Sequence, residues 1–201
     1  MKEERDYIQD IAEIRSMMEG SSKFLSLTGW AGILAGFYSL VGAWFAYSIL
    51  GFHPDKIFYT YPDLTNVILL ATVVLILALS SALLDSRRKA RKNDMKAWNA
   101  TSRRLLISMA VPLFAGGVLI LILIFKGLIG LIAPLTLLFY GLALYNAGNF
   151  TIKEVRVMGI AQIFLGLLNV WFIEYGLCIW AFGFGVIHII YGIFMHFRYE
   201  R

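Results

Sequence analysis

The sequence predicts an all-α membrane protein: a polytopic bundle of six transmembrane helices preceded by an N-terminal amphipathic helix. Three observations lead to this fold class, namely an apolar composition, six apolar runs of spanning length, and an uneven distribution of basic residues. Of the 201 residues, 59% are hydrophobic and only 15% are charged. A soluble domain of this size has too little interior for so many apolar side chains, so soluble, disordered and disulfide-scaffold classes are excluded.

Each apolar run is long enough for a bilayer-spanning helix, which needs about 17–25 residues. The predicted spans are residues 24–50, 67–84, 105–125, 127–145, 157–173 and 175–197. The first begins behind an acidic segment and is too long for the core of a cleavable signal. The second is apolar all round, which suits a helix that faces lipid. The third and fourth meet at Lys126, and the fifth and sixth meet at Glu174, so both pairs are predicted helical hairpins.

The basic residues give the orientation. If the N-terminus is cytoplasmic, 16 of the 18 Lys and Arg residues lie on the inner side, and only Lys56 and Lys126 lie outside. Short loops rich in Lys and Arg stay in the cytoplasm. We therefore expect a multi-pass protein of a bacterial inner (plasma) membrane with both termini cytoplasmic.

Two charged segments flank the first spans. Residues 1–22 are predicted to form a cytoplasmic amphipathic helix, since Tyr7, Ile11, Ile14 and Met18 recur at helical spacing. Its first 19 residues carry a balance of −3, so its apolar stripe should contact protein in preference to an anionic leaflet. The partner could be the basic loop 85–104, a second copy of the chain, or another cytoplasmic protein.

Within the transmembrane domain, residues 23–201, the loop 85–104 has a charge balance of +6. It is predicted to contact anionic lipid head groups, with an acidic partner as the alternative and no nucleic acid expected. The residues assigned to this contact are Arg87, Arg88, Lys89, Arg91, Lys92, Lys96, Arg103 and Arg104.

Three spans carry small residues along one helix face. Such seams let helix backbones approach closely in lipid, where burial of apolar surface cannot drive association. We expect a packing core built on the first, fifth and sixth helices, with a sliding or dimerising seam as the alternative. The seam glycines are Gly29, Gly32, Gly36, Gly159, Gly166, Gly185 and Gly192.

Polar residues lie on the same faces, and intramembrane polar groups are costly and often functional. The candidate polar site in the inner half of the bundle comprises His188, Gln162, Asn169, Tyr140 and Tyr191. The alternative is that these side chains only join helices by hydrogen bonds.

Enzymatic and cofactor chemistry finds no support in the sequence. The single cysteine, Cys178, excludes an intrachain disulfide, and no nucleophile–base or metal-ligand motif is present. Bis-histidine haem would need histidines on two facing helices, whereas His188 and His196 share one span and His53 lies in a loop. We expect no cofactor, no metal and no catalytic residues.

A weak internal repeat is visible. Tyr140-Gly141 and Tyr191-Gly192 lie 51 residues apart, and Gly116 and Gly166 lie 50 apart. Two hairpins of similar build would produce this spacing, and so would coincidence.

Two stretches carry a resemblance. Residues 15–36 (RSMMEGSSKFLSLTGWAGILAG) and 139–156 (FYGLALYNAGNFTIKEVR) resemble an uncharacterised family of small bacterial six-helix inner-membrane proteins, some encoded beside a winged-helix regulator. The resemblance covers most of the chain and implies no activity or catalytic residue. The hairpin plan is also loosely similar to the acid-resistance membrane proteins of the HdeD type.

Two functions remain open at this point. The first is a non-enzymatic accessory, sensor or regulatory protein that acts through its cytoplasmic face. The second is a small-molecule transporter or facilitator with its site near His188. No carboxylate lies within a span, which weakens an ion-coupled carrier.

Overall fold

The computed structural model describes residues 29–58, 64–92 and 100–199, and in these ranges the fold is an all-α bundle. Six helices are long and apolar enough to cross a membrane, which confirms the predicted fold class and makes the chain a multi-pass membrane protein. Residues 1–22, predicted as an amphipathic helix, lie outside the described residues. The first five helices are α1 Gly29–Ser48, α2 Thr65–Lys92, α3 Ala100–Phe125, α4 Ile132–Ala147 and α5 Lys153–Trp171.

The sixth helix, α6, is continuous but irregular. It begins as an α-helix over Gly176–Ala181, widens to a π-helix over Phe182–Ile187, and returns to an α-helix over His188–Tyr199. Short 3₁₀ turns, Ile129–Leu131 and Ile173–Tyr175, precede α4 and α6. A π-helical stretch accommodates about one extra residue and often marks a functional or strained site.

The predicted basic loop 85–104 is largely helical. Helix α2 continues to Lys92 and α3 begins at Ala100, so only residues 93–99 lie between them. Apolar periodicity ends at the bilayer surface, but helices continue beyond it where the side chains favour helix. Lys and Arg are good helix formers and interact favourably with the C-terminal end of the α2 dipole.

Helices α1 and α6 pack backbone against backbone through glycines. A Cβ atom added to Gly192 would lie 2.5 Å from the Gly29 carbonyl oxygen, and one added to Gly36 would lie 2.6 Å from that of Gly185. Gly32 is also close, with Gly192 Cα 3.1 Å from its would-be Cβ. The two helices therefore run antiparallel at a separation that any side chain on this seam would prevent.

The glycines of α5 have a different partner from the one expected. Gly159 and Gly166 face α4, where a Cβ on Gly141 would lie 2.8 Å from the Gly159 carbonyl oxygen and one on Gly166 would lie 2.9 Å from that of Pro134. The prediction that the glycines of the fifth helix pack in a common core with the first and sixth helices is therefore wrong, because these glycines pack against the fourth helix. On α5 the glycines and the amides form two adjacent rows, and only the amide row faces α6.

The two glycine seams are built alike. The would-be Cβ of Gly192 meets Ile33 N at 2.6 Å, and that of Gly141 meets Ile163 N at 2.7 Å. Gly36 contacts Gly185 and Ile189 on α6, and Gly166 contacts the corresponding residues of α4, Pro134 and Leu138. Throughout, equivalent positions differ by 51 residues between α4 and α6 and by 130 between α1 and α5, pairing GWAGILAG (29–36) with GIAQIFLG (159–166).

This correspondence favours the repeat interpretation for the Tyr-Gly pairs, since Gly141 and Gly192 occupy equivalent places. The second spacing has no such counterpart. A Cβ on Gly116 would meet the side chain of Phe139, at 2.6 Å, whereas Gly166 meets backbone atoms. The repeat therefore relates the helix pair α6–α1 to the pair α4–α5, and it includes only part of the sequence pattern.

The remaining two helices pack at the periphery. Helix α2 contacts α1 where a Cβ on Gly42 would lie 2.6 Å from a Val74 methyl, and α3 contacts α4 at Phe139. The most apolar window of α2 contains no buried residue, as predicted for a lipid-facing helix.

Apolar clusters fill the two ends of the bundle. One cluster lies at the basic end, the end of the bundle where the arginines of α2 and α3 lie. It comprises Leu105, Leu144, Ala147, Ile152, Val155, Met158 and Met195. At the opposite end, Ala46, Phe52 and Ile129 are buried beneath a folded-back loop. There the Phe52 N–H donates to the Ala46 carbonyl at 2.9 Å, and the Gly130 N–H donates to that of Ile57 at 3.2 Å. The polar side chains lie between these clusters.

Candidate functional site

The centre of the bundle is organised around one backbone carbonyl, that of Gly183 in the π-helical stretch of α6. Gln162 on α5 donates to it from Nε2 at 2.7 Å, and His188 contacts it through Nδ1 at 3.0 Å. Gly183 has no side chain, and a Cβ there would lie 2.8 Å from Gln162 Oε1 and 2.5 Å from Leu137. The missing side chain is therefore what gives Gln162 access to the helix backbone.

Tyr140 on α4 completes this network. Its hydroxyl lies 2.9 Å from His188 Nε2. Because the Gly183 carbonyl can only accept, His188 Nδ1 must carry a proton. A neutral imidazole then accepts from the Tyr140 O–H at Nε2, and both ring nitrogens are satisfied. No carboxylate contacts this ring among the described residues, so the neutral form avoids burying an uncompensated charge.

Aromatic rings cover the network along the interface of α4 and α6. Phe184 stacks on His188 with centroids 5.7 Å apart and an interplanar angle of 17°. It also contacts the rings of Tyr140 and Trp180, each at 5.0 Å. The Trp180 indole N–H donates to the Thr136 hydroxyl at 3.1 Å, one turn from Tyr140. These contacts hold the side chain of His188 in one orientation.

Asn169 repeats the Gln162 arrangement two turns away. Its Nδ2 donates to the Gly176 carbonyl at 3.0 Å. Gln162 and Asn169 are seven residues apart on α5, and so are Gly176 and Gly183 on α6, so one antiparallel pair of amide–carbonyl bonds joins the two helices. Both amide side chains are 0% exposed, and His188 is 6% exposed.

Among the described residues, the NH₂ group of each of these amides is hydrogen-bonded and the oxygen is not. Gln162 Oε1 and Asn169 Oδ1 are buried and accept no hydrogen bond in the described part of the chain. Buried polar atoms without partners are uncommon in proteins, since they forgo solvation without compensation.

The five predicted polar-site residues therefore do not form one cluster. His188, Gln162 and Tyr140 meet at Gly183, and Asn169 forms a separate contact. Tyr191 packs against the apolar cluster at the basic end. Sequence reasoning missed Gly183, although its position two residues before Gly185 in FGFG places it on a different helix face from the seam.

The predicted basic residues lie together at one end. Arg87, Arg88, Arg91, Arg103 and Arg104 are exposed and Lys89 is half-buried, whereas the Lys92 side chain and Lys96 are outside the described residues.

Further basic side chains near this end lie on the helices of the bundle. Arg156 hydrogen-bonds Asn149 and lies over the Tyr145 ring at 5.0 Å. Arg198 lies 3.8 Å from Glu154. The basic end thus presents an exposed and largely cationic surface.

The opposite end carries the loop histidine. His53 contacts the Gly51 carbonyl through Nδ1 at 2.8 Å, and its ring lies 4.2 Å from that of Tyr47. Within the described ranges, no three His, Cys, Asp or Glu side chains come together as metal ligands would.

Comparisons with known proteins add no assignment. No family model matches the chain, and no curated protein or solved structure matches it either. The resemblances seen in the sequence therefore stay predictions.

Proposed function

We propose that the chain is a non-enzymatic accessory, sensor or regulatory protein of a bacterial inner membrane, acting through its cytoplasmic basic face. The observation that carries this proposal is that the polar side chains at the centre of the bundle form hydrogen bonds between its helices. The Gln162 and Asn169 amides on α5 bond the backbone of α6, and His188 on α6 bonds Tyr140 on α4. The amide side chains and His188 are buried. Groups that hold helices together in this way do not form an open path for a solute, which a transporter needs.

The basic end provides the contact surface. In the proposed orientation both termini and the exposed arginines of α2 and α3 face the cytoplasm. Each basic residue near an anionic leaflet contributes about 1 kcal/mol of attraction. By its sequence, the acidic segment 1–19 is the second proposed point of contact, with a cytoplasmic protein or with a second copy of the chain.

Affinity capture from detergent tests the proposal. The full chain and a variant lacking residues 2–19 are each purified from the native membrane, and the co-purifying proteins are compared. We expect a stoichiometric partner that the truncated chain loses. A second variant, Ile11→Ser with Ile14→Ser, removes the two central residues of the apolar stripe but keeps every charge, and should lose the same partner. An identical or empty set of proteins with all three chains would contradict the proposal.

The second candidate is a small-molecule facilitator with its site in the inner half of the bundle. Two buried amide oxygens, which accept no hydrogen bond from the described residues, favour it, because such atoms are suited to a polar solute. Labelling of His188→Cys, in a Cys178→Ser background, with a membrane-impermeant maleimide separates the two functions. Labelling from one side of the membrane would favour transport, and no labelling from either side would favour the accessory role.

A further inference from the structure

We propose that the seam between α5 and α6 binds small uncharged hydrogen-bond donors of the size of water, one at the Gln162 amide oxygen and one at that of Asn169. This binding site goes beyond the proposed cytoplasmic contact, although it concerns the same two amides that join α5 to α6. It rests on two fully buried side chains whose amide groups are oriented by one hydrogen bond each and whose oxygens accept none in the described part of the chain.

The orientation of both amides is determined by their neighbours. A carbonyl oxygen can only accept, so the NH₂ groups must be the atoms that bond the Gly183 and Gly176 carbonyls. The amide oxygens lie beside the same glycines, where a Cβ on Gly183 would be 2.8 Å from Gln162 Oε1 and one on Gly176 would be 3.4 Å from Asn169 Oδ1. Turning either amide over would place oxygen against oxygen. The unused acceptors are therefore a consequence of the helix–helix contact, and a donor from outside the protein would satisfy them.

The internal repeat argues against a purely structural role for the amides. The positions on α1 that correspond to Gln162 and Asn169 hold Gly32 and Ser39. Ser39 donates from its hydroxyl to the Ala35 carbonyl of its own helix, at 2.8 Å. The same glycine seam is thus built on α1 without an amide directed at a neighbouring helix, so the fold does not require one on α5.

The surroundings indicate the class of ligand. Both amides bond backbone carbonyls, and the sequence has no Asp, Glu, Lys or Arg in residues 157–171 of α5 or 176–197 of α6, so a charged ligand would find no counterion on either helix. The atoms that need a partner are acceptors, so the ligand must donate. Seven residues of helix separate the two amides by about 10 Å, which requires two small molecules in place of one. Water is the smallest molecule that meets these conditions, and buried waters commonly satisfy such groups.

A bound donor would also stabilise the irregular part of α6. The Gln162 amide would accept from one ligand at its oxygen while its NH₂ group donates to the Gly183 carbonyl. The Asn169 amide would accept from the other ligand while it donates to the Gly176 carbonyl. Charge transfer through the amide group strengthens a hydrogen bond at one end when the other end is bonded. The two ligands would therefore stabilise the contact of α5 with the segment of α6 that leads into the π-helix.

Water-selective NMR tests the proposal on the full chain in deuterated detergent, with ¹⁵N in its glutamine and asparagine side chains. We expect cross-peaks between water and the side-chain NH₂ protons of Gln162 and Asn169. The nuclear Overhauser cross-peaks are recorded in both the laboratory frame and the rotating frame. Cross-peaks of opposite sign in the two experiments would show dipolar contact with long-lived water, whereas proton exchange gives cross-peaks of equal sign. Gln162→Met should abolish only its own peak, which assigns the signals. The exposed side chain of Asn66, which carries the same ¹⁵N label, serves as the control for short-lived surface water.

The absence of a water contact at either amide, or contacts only with detergent chains, would overturn the proposal. A contact at just one amide would overturn its two-site form. The measurement on the unmodified chain decides the matter even if Gln162→Met does not fold. None of these outcomes alters the co-purification result, so failure here is distinguishable from failure of the proposed function.

Discussion

Where α1 meets α6, and where α4 meets α5, backbone lies against backbone at glycines. Where α5 meets α6, side-chain amides lie between the helices, and beside them His188 of α6 bonds Tyr140 of α4. Close backbone contact has no tolerance for added volume, whereas side chains can rotate and accommodate it. The comparison indicates two stiff helix pairs of equivalent build, joined by a more adaptable polar seam.

The largest expected effect is in the glycine seams. Gly192→Val places a Cβ 2.5 Å from the Gly29 carbonyl oxygen and 2.6 Å from Ile33 N, and neither backbone atom can move without separating the helices. We expect a loss of about 3 kcal/mol or more in unfolding free energy. Gly141→Val, at the equivalent place, should be as severe. Monodispersity in detergent and the thermal midpoint measure both.

Gly117→Val is the matched control, because a Cβ on Gly117 meets nothing within 4 Å. It should leave stability nearly unchanged. A mild effect of Gly141→Val beside a severe one of Gly192→Val would break the equivalence of the two pairs.

A smaller effect is expected from Gly183→Ala in the polar seam. The added methyl would meet the ends of the Gln162 and Leu137 side chains, which can turn away where a backbone cannot. We expect a loss of about 1–3 kcal/mol, chiefly from the hydrogen bond between Gln162 and the Gly183 carbonyl. Unfolding of the purified variant measures it. A loss as large as that of Gly192→Val would contradict the distinction between stiff pairs and adaptable seam.

Tyr140→Phe should cost less again. It removes the donor to His188 Nε2 and keeps the ring contact with Phe184. Hydrogen bonds between membrane helices contribute about 0.6 kcal/mol on average, with a maximum near 1.7. A fall of a few degrees in the thermal midpoint is expected, and Tyr175→Phe, at an exposed side chain, should show none.

The smallest effect is predicted for Ser39→Ala. In the described part of the chain the Ser39 hydroxyl bonds the Ala35 carbonyl of its own helix, so we expect a change within about 0.5 kcal/mol. Asn169→Ser, which gives α5 the residue of α1, should lose more because the Gly176 carbonyl loses its amide donor. Equal effects of the two substitutions in thermal unfolding would mean that the amide adds nothing to the seam.

For the described residues, the sequence was sufficient to predict the six spanning helices and their approximate ends, because spanning length and charge are recorded directly in residue order. It also placed His188, Gln162 and Tyr140 at a common level. It did not indicate the partner of Gly159 and Gly166, since in lipid both faces of a helix are apolar and the pattern carries no information about which helix is adjacent. Gly141 stands alone on α4 and formed no visible stripe.

The π-helical stretch was equally invisible in the sequence. No residue type specifies a π-turn, and its presence depends on contacts that surround it. The likeness of GWAGILAG to GIAQIFLG could have been found by aligning the first span with the fifth. The Tyr-Gly spacing pointed to consecutive hairpins, and the equivalent pairs instead join the last helix to the first.

The wide turn of α6 has a geometric consequence for the whole bundle. Before it, Gly176 is held by α5, whereas Gly185 near its end and Gly192 beyond it lie against α1. One additional residue rotates everything downstream by roughly 100° about the axis. Deleting a single residue from 182–187 would therefore rotate one half of α6 away from its neighbour, whichever half stayed in place.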